Sequence, residues 1–278
     1  MTCPGYQKLS ERSREIHLVR STAALLEWDL ETYIPPNAAA FRAEQLSYLG
    51  TKAHALFTKP IVGQWIKEAE DIGFPAESPE AANVREWRRA YDRAVKIPNS
   101  LVEKFEKARI IAYDTWVSAR AESNFSKFRP HLEKLINLVR KKIDRWGFEE
   151  SPYDALLEDY EPGVRASQLK PVFAELREAL KDIPGNAKTK DVPENFLDGD
   201  YPTAGQQTLS KEIAEALGYD FRSGRIDTTT HPFSTTLGPC DQRITTRYNE
   251  KRFEMSLHTF LVARTHRTLL AIVFGFHL

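Results

Sequence analysis

The stretch His131-Leu132-Glu133-Lys134-Leu135-Ile136-Asn137-Leu138-Val139-Arg140-Lys141-Lys142-Ile143 sets the fold class. Its apolar residues Leu132, Leu135, Ile136, Val139 and Ile143 recur at intervals of three and four, the spacing of one face of an amphipathic helix. Upstream, Leu101, Val102, Phe105, Ala108 and Trp116 repeat the pattern behind Pro98. Ser100 and Glu103 there stand in S-x-x-E spacing, so a capped helix start is expected near residue 101. Val84, Trp87, Tyr91 and Ala94 form another stripe, as do Val172, Leu176 and Leu180. Leu209, Ile213 and Leu217 lead into Gly218, placed as a helix-terminating glycine. At least six helices are expected.

Proline marks the breaks: Pro35 and Pro36 within 33–37, the run from Pro75 to Pro79, and the three prolines and two glycines of 183–202. That last segment is the best boundary candidate, but Phe196, Leu197 and Tyr201 give it packing residues, so a single domain is expected. After Gly224 the character changes. Residues 225–230 and 243–248 are short and rich in Thr, Ile and Tyr, with Gly238-Pro239 between them, a pattern that predicts two strands joined as a small hairpin. The expected fold is mainly α with a small β-hairpin or sheet near 225–248.

With 278 residues, 41% of them hydrophobic, the chain can bury a substantial core. Lys plus Arg and Asp plus Glu each number 39, so there is no net charge to attract nucleic acid or anionic lipid. Cys3 and Cys240 are too few for a disulfide framework and suit a reducing compartment, so a cytoplasmic location is expected. Charges at Lys8, Glu11, Arg12, Arg14 and Glu15 interrupt any leader-like apolar region. The longest apolar tract, Leu269 to Phe276, falls far short of the roughly 20 residues that span a bilayer. Neither a nucleic acid nor a membrane is an expected partner.

The sequence contains no phosphate-cradling loop, dinucleotide fingerprint or GxSxG elbow. None of the seven histidines is followed by Glu, so there is no HExxH. His258 and His266, eight apart, could share a helix face, although two unrelated histidines explain them as well. Asp154 and Glu158, at i,i+4, could serve as paired carboxylates in glycoside hydrolysis, against a solvated helix face as the plainer reading. Trp28-Asp29 could be part of a cleft, against a buried indole beside a capping carboxylate as the favoured reading. His231-Pro232-Phe233 and Asp241-Gln242-Arg243-Ile244-Thr245 would be neighbours in a hairpin. There the Arg243 fork could bind Asp241 or an anionic substrate terminus, and residue type favours the internal pair.

Four separated segments resemble the carboxypeptidase Taq family of metallocarboxypeptidases. They are Leu25-Leu26-Glu27-Trp28-Asp29 with Tyr33, Pro35, Pro36, Arg42 and Gln45; Tyr153 through Gly163; Gly218-Tyr219-Asp220-Phe221 through His231-Pro232-Phe233; and Asp241 to Tyr248, a DxRxT element. The resemblance implies a helical scaffold with a long groove, a small sheet near the catalytic centre, and zinc or cobalt held by an HExxH helix and a later Glu. It further implies removal of carboxyl-terminal residues from peptides, and homodimers. His231, Pro232, Phe233, Asp241, Arg243 and Thr245 map onto elements that line or brace the site.

The sequence departs from the family where the metal would sit. Leu261 is followed by Val262-Ala263-Arg264-Thr265-His266-Arg267 in place of HExxH, and Glu254 is the last acidic residue. Suitable codons for Ala263-Arg264-Thr265 read His-Glu one base later, in keeping with a frameshift. The expectation is thus an amino-terminal part of a metallocarboxypeptidase-like domain over 1–261 and an atypical tail over 262–278. No intact catalytic residue, metal ligand set or cofactor is expected in this chain, which would be inactive alone. A non-enzymatic peptide- or partner-binding module is the alternative.

Overall fold

The computed structural model describes residues 3–186, 199–257 and 260. The 262–278 tail, His258 and His266 lie outside them. The helices are α1 (Pro4–Thr32), α2 (Ala39–Phe57), α3 (Pro60–Ile72), α4 (Pro79–Ala94), α5 (Asn99–Ala121), α6 (Phe125–Trp146), α7 (Pro152–Leu157), α8 (Ala166–Asn186) and α9 (Thr203–Ala216). Strands β1 (Gly224–Thr228), β2 (Ser234–Gly238) and β3 (Asp241–Thr246) follow. The expected class, mainly helical with a small sheet, is the one found. None of the described helices is long and apolar enough to cross a membrane.

Local chemistry sets the helix ends. Pro60 and Pro79 open α3 and α4, where a missing N–H costs nothing. The Ser78 hydroxyl accepts from Ala81 N at 3.1 Å, and Gly73 closes α3 at φ 66°. The predicted role of Gly218 holds: it follows α9 at φ 81°. The Ser100–Glu103 box does not form. Helix α5 starts at Asn99 with Pro98 as its cap residue, so Ser100 already lies inside the first turn. Glu103 instead pairs with Lys107 at 2.7 Å.

The described chain divides into two compact units. Residues up to Ile16 and those from Gly50 through α8 form the first. One core there joins Leu9, Val62, Ile66, Ala69 and Val84, with Tyr6 packed on Phe74 and Trp87 at ring separations of 5.4 and 5.2 Å. Val62 and Ile66 are fully buried, each stabilising by about 1.5–3 kcal/mol. A second core joins Ile97, Leu101, Ala108 and Leu138, flanked by Phe105, Leu135 and Trp146. The predicted α6 stripe holds at Leu135 and Ile143 and differs at one place. Ile136 is 42% exposed, whereas Leu138, absent from the predicted stripe, is 7% exposed.

The second unit comprises His17–Leu49 and the described residues from Gly199 onward. Its sheet runs β1-β3-β2, with β1 parallel and β2 antiparallel to β3. The expected joining of 225–230 to 243–248 as a hairpin is corrected here. Those two strands are parallel, and the hairpin is β2–β3. Two parallel neighbours need a crossover, and the 234–238 segment, also rich in Thr, supplies the third strand on the way. Ala214, Ile244 and Phe260 form the core under the sheet with Ile213, Tyr219 and Ile226. Gly224 lets the Tyr219 ring reach Gln242 O at 2.6 Å, because a Cβ on residue 224 would collide with both the Tyr219 side chain and the Gln242 carbonyl.

Candidate functional site

Within the second unit, β1 and β3 each carry a guanidinium and a carboxylate two residues apart, hence on one face of the strand. On β1, Arg225 donates from Nε and Nη2 to the two Asp227 carboxylate oxygens, both at 2.7 Å. On β3, Arg243 donates to Asp241 at 2.9 and 3.0 Å. The internal ion pair favoured by residue type is therefore the arrangement found. The parallel register sets Arg225 directly beside Arg243. Two like charges at neighbouring positions repel, and two features offset this. Each guanidinium has its own carboxylate, and both lie over the Trp28 indole, at 5.1 Å for Arg225 and 4.1 Å for Arg243.

Trp28 stands near the end of α1, held there by the α2 side chain Arg42. That guanidinium donates to Leu26 O at 2.8 Å, to Asp29 Oδ2 at 2.7 Å and to Gln45 Oε1 at 3.0 Å. Leu26, Trp28, Asp29, Arg42 and Gln45 of the amino-terminal signature are thus one brace. Asp29 serves as the Arg42 partner rather than as a helix cap. Tyr33, past the end of α1, packs on Trp28 at 5.5 Å and donates its hydroxyl hydrogen to Asp227 Oδ1 at 2.5 Å. The Asp227 side chain is 2% exposed, and its charge is compensated by Arg225 and the Tyr33 hydroxyl. The bond to Asp227, together with desolvation, raises the Tyr33 pKa above its ordinary value. Buried Trp28 Nε1 has no hydrogen-bond partner among the described residues.

His231, Pro232 and Phe233 link β1 to β2. Thr245, fully buried, accepts from Phe233 N at 2.8 Å through its hydroxyl, and its own N–H donates to Phe233 O at 2.7 Å. Thr235 pairs with Arg243 and Ser234 with Ile244, so exposed His231 lies beyond the far end of the ladder from Asp241. The sheet therefore gathers Phe233 with Thr245 and Asp241 with Arg243. The two groups follow one another along β3, with Arg243 two residues from Thr245 and Asp241 at the far end of the strand.

Sequence reasoning missed Arg225 and Asp227, although Arg-x-Asp in a strand carries the same signal as Asp-x-Arg. It also missed an open cleft of about 440 Å³, lined by Lys211, Phe221, Arg225, Asp227, Thr228 and Tyr248 among others. Burial raises the Tyr248 pKa.

Asp154 and Glu158, in the first unit, do not form a solvated face. Asp154 accepts from Ser151 N at 3.1 Å in a capping box and from Ala166 N at 2.8 Å. Glu158 accepts from Gly163 N at 2.8 Å. Both carboxylates accept from backbone N–H groups, which gives Asp154, Glu158 and Gly163 of the 153–163 signature a role in the fold.

The profile of the family described as carboxypeptidase Taq (M32) metallopeptidase matches residues 8–266. This chain belongs to that family. It is 38% identical over 268 residues to thermostable carboxypeptidase 1 of Thermus thermophilus, a match covering 91% of this chain and 52% of that protein. Carboxypeptidase 1 of Bacillus subtilis is 36% identical, with 84% of this chain and 47% of that protein covered. Among solved structures, the BsuCP crystal structure superposes with a TM-score of 0.87 at 33% identity, covering 92% of this chain and 52% of that one. The Pyrococcus furiosus carboxypeptidase structure reaches 0.79 at 26% identity, covering 96% and 54%. The chain spans about half the length of the relatives it matches.

Members of the carboxypeptidase Taq family are metallopeptidases, and a catalytic zinc takes three protein ligands. Among the described residues, no three His, Cys, Asp or Glu side chains come together in a way that could hold an ion. The described donor set therefore does not fit a catalytic metal. What the sheet and the end of α1 provide is two guanidinium–carboxylate pairs around the Trp28 indole.

Proposed function

We propose that this chain is the amino-terminal part of a metallocarboxypeptidase-like domain, spanning 1–261, and that by itself it does not cleave peptides. The observation that carries this is the conjunction of family membership over residues 8–266 with a sequence that contains no HExxH. Residues 262–278 are an atypical tail. Without a Lewis acid or an activated water, the terms that dominate metal-assisted hydrolysis are absent from this polypeptide.

His231, Pro232, Phe233, Asp241, Arg243 and Thr245 line or brace the site of the complete fold, where a peptide would lie near zinc or cobalt. Supporting this, Arg243 is already engaged by Asp241 and Trp28, and Thr245 by Phe233. Such commitments suit residues that hold a groove wall in shape. The complete fold would act on peptide carboxyl termini, and this chain would pair as a homodimer in the cytoplasm, where its Cys3 and Cys240 stay as thiols.

Zinc titration of the purified chain followed by calorimetry tests the reading. Weak, non-stoichiometric heats are expected, and tight binding at one ion per chain would contradict it. The second reading, a non-enzymatic peptide-binding module, draws on the open cleft beside Lys211, Arg225 and Tyr248. Saturable binding of a peptide, lost in Lys211→Ala, would favour it.

A further inference from the structure

Strand β1 stands at one edge of the sheet, with β3 on its inner flank and no described strand on its outer one. Two bonds fix which of its backbone groups face each way. Ser223 O accepts from Gln242 N at 2.9 Å, and Thr229 N donates to Thr246 O at 3.0 Å. Along a strand the N–H and C=O of successive residues alternate between the two flanks. Residues 223, 225, 227 and 229 therefore face β3, and the backbone N–H and C=O of Ile226 and Thr228 face outward. No described residue hydrogen-bonds to those outward groups.

That outer flank opens into the cleft of about 440 Å³, a size within the ordinary range of binding pockets. Arg225, Ile226, Asp227 and Thr228 all line it. Side chains alternate across a strand, so four consecutive residues cannot share one face. The cleft therefore follows the edge of β1. Gln207 and Lys211 from α9, with Phe221 and Tyr248, complete the lining. Unpaired donors and acceptors at a two-residue repeat are matched by one kind of ligand, another extended backbone. The side chains specify it further. Asp227 is already engaged by Arg225, which leaves Lys211 as the cation on offer. Its Nζ lies 3.9 Å from Glu215, one turn along an exposed stretch of α9, and 5.8 Å from the centre of the Phe221 ring.

We infer that the cleft takes an extended peptide as a fourth strand on β1, pairing with the backbone of Ile226 and Thr228 and placing an acidic side chain against Lys211. The inference deepens the peptide-binding reading of the cleft by giving its mode, and it holds whether or not the chain cleaves peptides.

The test titrates the full 278-residue chain with an acetyl-capped, amidated hexapeptide of alternating valine and glutamate. Saturable binding by calorimetry is expected, and amide exchange at Ile226 and Thr228, followed by NMR, should slow at least tenfold. Two further peptides carry N-methyl groups on all the valines or on all the glutamates, which removes the donors of one flank or the other. One of them should bind at least tenfold more weakly and the other should not. Lysine in place of the glutamates should also weaken binding at least tenfold. So should Thr228→Pro, which removes one outward N–H at an exposed edge position where proline is tolerated; its circular dichroism should match the parent chain, and the methylated peptides test the pairing independently of it. Binding indifferent to both methylated peptides, or as tight for the lysine peptide, would overturn the inference while leaving a peptide site of another kind. Absence of any binding would overturn both. Slow exchange at Ile226 and Thr228 in the chain alone would overturn the inference too, because the edge would then be filled already, by a second copy at twice the mass in light scattering or by another part of the chain.

Discussion

Tyr33 donates its hydroxyl hydrogen to Asp227 across 194 positions of sequence, tying the end of α1 to the first strand of the sheet. Arg225 engages the same carboxylate. A nearly inaccessible charge is thereby compensated from two directions, and a buried carboxylate left without its cation is strongly destabilising. Arg225 itself is half exposed, so the effect is smaller than for a fully buried pair. Arg225→Ala should lower stability by about 2 kcal/mol, and Tyr33→Phe by about 1 kcal/mol. Urea denaturation midpoints check both, and a change below about 0.5 kcal/mol for Arg225→Ala would mean that the charge is solvated.

The same contact makes a pH prediction. The bond to Asp227, desolvation and the Asp227 charge all raise the Tyr33 pKa, while Arg225 works against them. The fold thus prefers the neutral phenol. Its contribution is complete below the ordinary tyrosine range near pH 10 and disappears as pH rises through the higher folded-state value. Difference absorbance titration of the parent chain against Tyr33→Phe should reveal a late-ionising tyrosine, and Asp227→Asn should shift it earlier. Ionisation of Tyr33 at or below the ordinary range would refute this.

On the acid side, the bidentate bond from Arg88, both arms at 2.8 Å, holds the Glu70 carboxyl below its ordinary value. The pair's contribution is present above about pH 4.5 and lost as pH falls through the lowered value. Arg88→Ala should therefore cost stability at pH 6 and flatten the loss of stability on acidification below pH 4.5. Stability measured across pH 3–6 tests this, and parallel curves for the two proteins would exclude it.

Asp154 caps α7 and also holds the start of α8 through Ala166 N. Asp154→Ala should cost about 1–2 kcal/mol. Asp154→Asn retains an acceptor and should recover part of the loss. Equal stability of all three proteins in thermal melts would remove Asp154 from any structural role.

Periodicity exposed the helices because burial on one face leaves a 3.6-residue signature, but it did not fix which residues face inward. Ile136 was placed in the α6 stripe and Leu138 outside it, and packing against α5 reversed the two. The Ser100–Glu103 spacing was a true capping pattern displaced by Pro98, whose fixed φ starts the helix early. The strand composition of 225–230 and 243–248 was legible, while their parallel pairing was not, since sequence spacing alone does not say that a third strand inserts. For the site, Asp241 with Arg243 was legible from charge complementarity at i,i+2. The joint stacking of Arg225 and Arg243 on Trp28 depends on register, which no local pattern carries. The Trp28–Asp29 and 153–163 signatures mark the family in the sequence, while their work as brace and cap depends on Arg42 and Ala166, which lie beyond any local pattern.

On the function proposed above, these 278 residues carry part of the family scaffold without a complete peptide-cleaving site. The most direct measurement incubates the purified chain with zinc, then with cobalt, and an amino-blocked peptide, and follows release of the carboxyl-terminal residue with and without a chelator. No chelator-sensitive release is expected. Steady liberation of that residue, abolished by the chelator and restored by added metal, would contradict the proposal.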